Sequence, residues 1–418
     1  MLSGRRSPWP LVAMLYATGL LAAAQLGKLS ALAPLIAAEL RLSLPTMATA
    51  ISLLEVGGAT LGAVAGLLAH RLGLRRTLRW GVAALALAGL GSALAQGVAG
   101  LMAWRVLEAA GYLGVIVSAP VLIAHHAGAA GARTQGLALT LWSTFVPVGL
   151  ALGAWASAGA AGALGWRGAV LGGGVVAAGL WLALWRSPLP PRAADALDPT
   201  PGPAATHELT HEVRLAPGEV PPSLAPAAPR LGPAAWCLAL SFHLFALFEV
   251  GVLALLPTLL VQQVGLDAAA AGRWTGIAAL AAVGGSAIAA LLLRRGAALR
   301  APVMAALGLP ALLLFAVFTP APPPAVAIAG AITLNLLGGI YASLSFALLP
   351  RVAGGPAQMV KVNGLLAQCG ASGSLLGPPL MAACVQAGGW PAAAGLGLGC
   401  ALLAMPLAWR AMRGLHTA

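Results

Sequence analysis

The stretch GLLAHRLGLRR, residues 66–76, is a short basic segment that joins two long apolar runs. Its arginines cannot enter hydrocarbon cheaply, since a charged side chain at the bilayer centre costs about 2.5–3.5 kcal/mol. Its two glycines, Gly66 and Gly73, allow helix ends to approach closely and turn sharply. The segment therefore predicts a tight connection, on one face of a membrane, between two helices that cross it.

The composition of the whole chain is typical of a protein that crosses the bilayer many times. Of its 418 residues, 60% are hydrophobic and 8% are charged, with a mean hydropathy of +0.91. A soluble domain carries about 25% charged residues. The abundant small residues, Ala and Gly, let helices pack closely in lipid. The length allows about a dozen spans of roughly 20 residues each. We therefore expect an all-α polytopic membrane protein.

Apolar runs with turn signals between them predict twelve spans in two groups of six. A linker rich in Pro and Ala, residues 186–232, separates the groups and carries half of the acidic residues. We therefore expect an amino-terminal six-helix bundle at 1–185 and a carboxy-terminal one at 233–418. The predicted spans lie at 9–36, 46–70, 77–97, 100–124, 133–158, 166–185, 233–263, 269–294, 300–319, 324–350, 357–387 and 390–412.

The two groups repeat each other at an offset near 224 residues. The matched pairs are Pro34 with Pro257, Gly165-Trp166 with Gly389-Trp390, His70-Arg71 with Arg294-Arg295 and, with a slip of four residues, Gly136 and Gly149 with Gly364 and Gly377. A parallel repeat of this kind relates two bundles by an axis along the membrane normal.

The basic segment resembles the signature loop of the major facilitator superfamily, Gly-x-x-x-Asp-Arg-x-Gly-Arg-Arg/Lys-Arg/Lys. His70 stands where the family usually has Asp, and Leu74 where it often has Arg. Five positions match, namely Gly66, Arg71, Gly73, Arg75 and Arg76. With the repeat, the resemblance covers almost the whole chain and implies the twelve-helix bacterial type of that fold. It also implies a cytoplasmic gate at this loop, which His70 would make weaker or pH-dependent because it carries no permanent negative charge.

The basic residues predict the orientation in the membrane. Of the 23 Lys and Arg residues, Arg41, Arg167 and Arg273 fall on one side and Lys28 and Arg105 fall within spans, which leaves 18 on the side of the termini. Cytoplasmic loops carry the excess of Lys and Arg. We therefore expect both termini in the cytoplasm, with the chain in the inner membrane of a bacterium.

Five ionisable residues fall inside predicted spans, and they must face each other or a water-filled cavity. They are Lys28, Glu55, Arg105, Glu108 and Glu249, and Asn335 is a further candidate for the cavity wall. Glu55 is expected about 15 Å deep, close to the midplane. It is either a proton or substrate site or the partner of Lys28 or Arg105 in a structural salt bridge.

The fourth span contributes a pair, because Arg105 and Glu108 are three residues apart and share one helix face. We hypothesise that Glu55 and Glu108, with Arg105 near them, form the protonation site of the amino-terminal half. Glu249 is the candidate of the other half, for substrate or for a second proton. A purely structural bridge between Arg105 and Glu108 is the alternative.

Other classes of protein are less well supported. The basic residues are spread over loops, so no nucleic acid is expected, and the four cysteines lack CxxC spacing. His207 and His211 lie near Glu208 and Glu212, but no apolar helix face supports a metal site there. An early apolar run after Arg5 and Arg6 resembles a signal peptide, yet the first span continues beyond it. No cofactor is indicated.

The sequence therefore predicts a secondary active transporter that moves a small organic solute, with protons as the coupling ion. The chain would work as a monomer in the bilayer, by alternating access, and no nucleotide-binding motif suggests another driving force. Mixed charge in the cavity favours uptake of an anionic or zwitterionic solute, and proton-linked efflux of drugs or metabolites is the alternative. A membrane-embedded enzyme using His125-His126, or a transporter-like sensor, is the alternative of another class.

Overall fold

The computed structural model describes residues 7–187, 231–353 and 356–413, and all regular secondary structure in those ranges is helical. A helix satisfies its backbone hydrogen bonds within its own segment, which lipid requires. A 3₁₀ turn, Leu53–Glu55, joins the second helix to the third. The helices of the first half are α1 (Trp9–Leu40), α2 (Leu44–Ser52), α3 (Val56–Leu72), α4 (Leu74–Ser92), α5 (Val98–Gly128), α6 (Ala132–Trp142) and α7 (Phe145–Arg186).

The second half begins after the predicted linker, most of which falls on residues 188–230, outside the described ranges. His207 and His211 lie there too, and Arg5 and Arg6 precede the first described residue. The helices of this half are α8 (Pro233–Gln262), α9 (Ala268–Arg294), α10 (Arg300–Val317), α11 (Pro324–Ala347), α12 (Leu349–Val352) and α13 (Pro356–Ala411). Together the two halves form the expected pair of six-helix bundles.

Glycine breaks divide two of the long helices and complete the count of spans. The backbone of α7 is interrupted at Gly165 (φ 67°) and that of α13 at Gly389 (φ 74°), in the left-handed region that favours glycine. Among the described residues, nine helices are long and apolar enough to cross a membrane. Dividing α7 and α13 adds two, and α4, whose first turns carry three arginines, is the twelfth. The predicted equivalence of Gly165 and Gly389 is confirmed.

In both halves the first and fifth spans pack through glycine. Each contact sets a glycine against a backbone carbonyl of the facing helix, and an added Cβ would overlap that carbonyl. The contacts are Gly149 with Leu20 and Gly153 with Ala24 in the first half, and Gly373 with His243 and Gly377 with Leu247 in the second. Small residues that let two backbones touch are typical of helix packing in lipid.

These contacts correct one detail of the predicted repeat. Gly149 corresponds to Gly373, 224 residues later, so the offset runs unchanged through the fifth and eleventh spans. The slip of four residues, which paired Gly149 with Gly377, is wrong. Gly136 and Gly364, which suggested it, have nothing within 4 Å of an added Cβ and so take no part in the contact.

An arginine–tryptophan contact occurs once in each half, at the face where α1 begins and α13 ends, here called the termini face. The Arg79 guanidinium lies 4.5 Å from the Trp185 ring and donates to the Trp185 carbonyl oxygen at 3.2 Å. The Arg300 guanidinium lies 5.0 Å from the Trp409 ring and donates to the Met412 carbonyl oxygen at 3.3 Å. In each half the contact fastens the third span to the end of the sixth.

The two halves meet in the middle of the molecule and toward the face opposite the termini. Ser30 of α1 donates to the carbonyl oxygen of Ala254 of α8 at 3.0 Å. Trp155 of α7 donates to the carbonyl oxygen of Arg273, near the start of α9, at 2.9 Å. Nearer the middle, Gln368 of α13 donates to a carbonyl oxygen of α3 at 3.1 Å. We call the surface along which the halves meet the seam.

Candidate functional site

The amino-terminal half contains a buried cluster of charge built around Glu108. Lys28 of α1 donates to one oxygen of its carboxylate at 2.8 Å, and Arg105 of α5 donates to the other at 2.6 Å. The Lys28 ammonium also donates to the Gln25 side-chain oxygen at 2.5 Å. Only 5% of Lys28, 1% of Arg105 and 2% of Glu108 is exposed. Both cations therefore form buried salt bridges with the same carboxylate, inside the amino-terminal half.

Arg105 also completes a broken stretch of helix. Its Nε donates to the carbonyl oxygen of Ala50 at 2.7 Å and its Nη2 to that of Ile51 at 2.8 Å. These carbonyls belong to the last residues of α2, just before the 3₁₀ turn Leu53–Glu55. Carbonyls at the end of a helix need partners from outside the helix. The guanidinium supplies them, and so it links the Glu108 cluster to the turn that carries Glu55.

Glu55 lies at the end of this 3₁₀ turn and is partly exposed. The Tyr112 hydroxyl of α5 is its hydrogen-bonding neighbour. The salt bridge to Lys28 or Arg105 that the sequence left open is not formed, because both cations pair with Glu108. An added Cβ on Gly58, one turn later, would lie 3.0 Å from Ala371 of the other half. This side of the second span therefore faces the seam.

Glu249 is the acid of the carboxy-terminal half, on α8, and it is partly exposed. Its carboxylate lies directly against the backbone of Gly338 on α11, where an added Cβ would overlap it. Among the described residues, none of the ion pairs includes Glu249. The carbonyl of Leu253, one turn later on the same side of α8, is within 3.3 Å of the Ser30 hydroxyl of the other half. Glu249 therefore lies one turn from the seam, against α11, and forms no ion pair with a described residue.

Polar residues near Glu249 are engaged by the protein. Asn335, one turn before Gly338, is buried and donates its amide to the carbonyl oxygen of Ala331 at 2.9 Å. The His243 ring lies within hydrogen-bonding distance of the Ser372 hydroxyl, at 2.9 Å. The Tyr341 hydroxyl shares a hydrogen bond of 2.6 Å with the Ser241 hydroxyl. None of these groups supplies a positive charge to Glu249.

The basic segment forms the predicted tight connection at the termini face. The third helix ends at Leu72, Gly73 adopts φ 88°, and the fourth begins at Leu74. Arg71 and Arg76 are exposed, as is expected of a loop at a membrane surface. The surroundings of Gly66 and the side chain of His70 lie outside what the structure describes, so the predicted gate contacts of these two residues are not tested.

The sequence missed two groups of contacts. Arg79 was counted only among the basic residues on the side of the termini, yet it is buried and stacks on Trp185, 106 positions away. At the face opposite the termini, Glu39 accepts from both Arg167 and the Trp166 ring. Trp166 belongs to the repeated Gly-Trp pair, which was the available signal. Nothing in the sequence pointed to Arg79.

The described residues show no group of three or more metal-ligating side chains. His125 and His126 lie in the last turn of α5. Neither makes an ion pair with an acid within the described ranges. This arrangement gives no support to a membrane-embedded enzyme built on the two histidines.

Comparisons with known proteins extend to nearly the whole chain. The family model described as Major Facilitator Superfamily matches residues 15–378. No curated protein is similar enough in sequence to be matched. Solved structures similar to this one are instead found by fold.

A bacterial homologue of the human lysosomal transporter Spinster, in an inward-facing and unoccupied conformation, has 16% identity and a TM-score of 0.71, covering 98% of this chain and 96% of its own. The nucleoside transporter NupG has 13% identity and a TM-score of 0.72, with coverage of 96% and 99%. The xylose transporter XylE from E. coli has 18% identity and a TM-score of 0.68, with coverage of 95% of both chains. At these identities the likeness concerns the fold.

Proposed function

The chain belongs to the Major Facilitator Superfamily, and on that premise we propose that it is a secondary active transporter of a small organic solute, coupled to protons. It would work as a monomer in a bacterial inner membrane, with both termini in the cytoplasm. The basic residues that crowd the termini face support this orientation. Transport would proceed by alternating access, with the two bundles rocking about the seam.

The observation that carries proton coupling is that two acids at or beside the seam, Glu55 and Glu249, form no salt bridge with a described residue. An isolated carboxylate is costly to hold away from water, and binding a proton removes that cost. Such an acid binds a proton where the seam admits water and releases it where a stronger competitor arrives. We therefore assign proton binding to Glu55 and Glu249.

Glu108, which the sequence offered beside Glu55, is assigned a different role. Its carboxylate already holds two cations at 2.8 and 2.6 Å, so protonating it would leave both of them buried without a negative charge to balance them. We propose that the cluster of Lys28, Arg105 and Glu108 holds the turn that presents Glu55. Arg105 does this through its hydrogen bonds to the carbonyls before that turn.

The direction of transport has two candidate answers. A D-xylose–proton symporter is among the similar structures, with 17% identity and a TM-score of 0.68, and it supports proton-driven uptake. The alternative is proton-linked efflux, in which solute and proton compete for the same acid. The Pro147-x-Gly149 order in α7 differs from the Gly-Pro order of the antiporter branch, which favours uptake.

The basic segment would act as the gate at the termini face. The described contacts between the halves lie in the middle and toward the opposite face, which supports an inward-open state of the seam. In the closed state we propose that Arg71 and Arg75 bind helix carbonyl ends across that face, while Gly73 permits the turn and Arg76 adds charge. His70 would make this lock sensitive to pH.

The test is transport by the full chain in proteoliposomes, after a thermal-shift screen of metabolites and drugs has identified a ligand. We expect an imposed pH gradient to drive accumulation in the parent. Glu55→Gln and Glu249→Gln should lose accumulation, because a glutamine binds no proton, but should retain exchange between loaded vesicles.

The matched control is Glu39→Gln, which removes an exposed acid that is paired with Arg167 of the same half. It should accumulate solute like the parent, since exposed ion pairs contribute little. Accumulation that ignores the pH gradient in the parent, or that survives in both seam variants, would refute proton coupling at these acids.

A further inference from the structure

Positive and negative side chains within the membrane differ in burial and in pairing. Both cations, Lys28 and Arg105, are at least nine-tenths buried and bound to Glu108. Both acids outside that cluster, Glu55 and Glu249, are partly exposed and form no ion pair within the described ranges; Glu55 lies at the seam and Glu249 one turn from it. The chain carries a net charge of +13, yet the charge left available at the seam is negative.

We propose that the seam is a binding site for organic cations, such as a substituted ammonium group, with the Glu249 carboxylate as its anchor. This inference rests on the proposed function, since it names the class of solute that the transporter moves. It replaces the anionic or zwitterionic solute that mixed charge in the sequence suggested. Because the cation and the proton would then share Glu249, it favours the efflux alternative over uptake.

Two helix contacts lie on either side of Glu249 along α8. One turn earlier on α8, the Phe245 ring lies 4.6 Å from the Tyr341 ring of α11, and both residues are buried. One turn later, Leu253 meets Ser30 of the other half. The carboxylate thus lies between an aromatic contact that fixes α8 against α11 and a contact across the seam.

Gly338 makes room for the anchor. Any residue with a Cβ at this position would overlap the Glu249 carboxylate. The carboxylate is accordingly held against α11 by shape, with no hydrogen-bond donor or cation from the described residues to neutralise it. A ligand that brings a positive charge supplies what the protein leaves out.

An anion would find no such partner. To bind one, Lys28 or Arg105 would have to leave Glu108, and breaking a buried pair leaves a carboxylate uncompensated. On the helices packed around Glu249, the nearest titratable group on its own helix is His243, whose Nδ1 is engaged by the Cys369 carbonyl oxygen at 3.1 Å and by Ser372. The lysine and the arginines of α9 to α13 lie within two turns of a helix end.

The experiment uses two probes of the same shape and opposite charge, tetraphenylphosphonium and tetraphenylborate, with benzyltrimethylammonium as a smaller cation. Binding to the purified full chain is measured by equilibrium dialysis. We expect at least one cation to bind about tenfold or more tighter than tetraphenylborate, which corresponds to about 1.4 kcal/mol. Glu249→Gln should remove that preference.

A glycine variant and its control test whether the position of the Glu249 carboxylate matters as well as its charge. Gly338→Ala keeps Glu249 but displaces its carboxylate, so cation binding should weaken while the preference for cations remains. Gly364→Ala is its control, because nothing lies within 4 Å of an added Cβ there. Glu39→Gln controls for the loss of an acid and should bind the cations like the parent.

The outcomes distinguish this inference from the proposed function. Equal or tighter binding of tetraphenylborate, no binding of either cation, or an unchanged preference in Glu249→Gln overturns the cation site, even where proton-driven transport is observed. Conversely, cation binding that depends on Glu249 in a protein that shows no gradient-driven transport upholds the site and refutes the transporter.

Discussion

The two halves of the molecule share their packing and differ in their charge. Gly153 and Gly377 meet facing carbonyls in the same way, and Arg79 and Arg300 stack on equivalent tryptophans. Yet deep within its spans the first half holds two cations, Lys28 and Arg105, and two acids, Glu55 and Glu108, whereas the second half holds the acid Glu249 with no Lys or Arg at that depth. The glycine contacts depend on the backbone, which the two halves share, so they occur in both. The buried charges depend on individual side chains, which differ between the halves. The comparison teaches that function is to be sought where the repeat fails.

The largest expected loss of stability comes from disrupting the paired charges of the amino-terminal half. Glu108→Gln leaves two buried cations without a carboxylate, and removing one partner of a buried pair costs about 3–5 kcal/mol. We expect a large fall in the yield of monodisperse protein and in its melting temperature, measured by fluorescence-detected size-exclusion chromatography after heating. Glu39→Gln should melt like the parent. A Glu108→Gln protein of parental stability would mean that the cluster does not hold the half together.

An intermediate effect, equal in the two halves, is expected from the shared packing. Gly153→Ala and Gly377→Ala each place a Cβ in the backbone of the facing helix, and such overpacking costs about 1–3 kcal/mol. The melting temperature of both variants should fall by similar amounts. Gly159→Ala and Gly395→Ala, where nothing lies within 4 Å of the added Cβ, are the controls. A fall in only one half would show that the packing is less symmetric than the backbone suggests.

The smallest change in stability is expected from removing the unpaired acid of the carboxy-terminal half. Glu249→Gln removes a charge that has no partner among the described residues, so it breaks no ion pair. The melting temperature should stay the same or rise, with a change in stability within about 0.5 kcal/mol of the parent or in its favour. The same heating assay measures it. A loss comparable to that of Glu108→Gln would reveal a hidden partner and would contradict the asymmetry.

Much of the fold followed from the sequence because hydropathy and repetition are local signals. The twelve spans, the Gly-Trp breaks at Gly165 and Gly389 and the tight turn at Gly73 were all predictable in this way. The slip of four residues was an error of matching glycines by type, because Gly136 and Gly364 share no packing environment with Gly149.

The candidate site was only partly predictable. The bond between Arg105 and Glu108 follows from helical spacing, since residues three apart share a face. Lys28 and Glu108 are 80 positions apart, so their pairing depends on how α1 packs against α5. The absence of a salt bridge from any described residue to Glu55 or Glu249 likewise depends on the tertiary structure. The sequence shows that charges are buried, and only the packing shows which of them remain unpaired.

The distance along the chain between Lys28 and Glu108 also has a consequence in time. Translation proceeds at about 5–20 residues per second, so the 80 positions that separate the two side chains take roughly 4–16 s to make. Through that interval Lys28 lacks the carboxylate with which it pairs in the folded half. The ion pair can therefore form only after the fourth span has been synthesised, whereas Glu249 has, in the part of the chain that the structure describes, no ion pair whose formation depends on the order of synthesis.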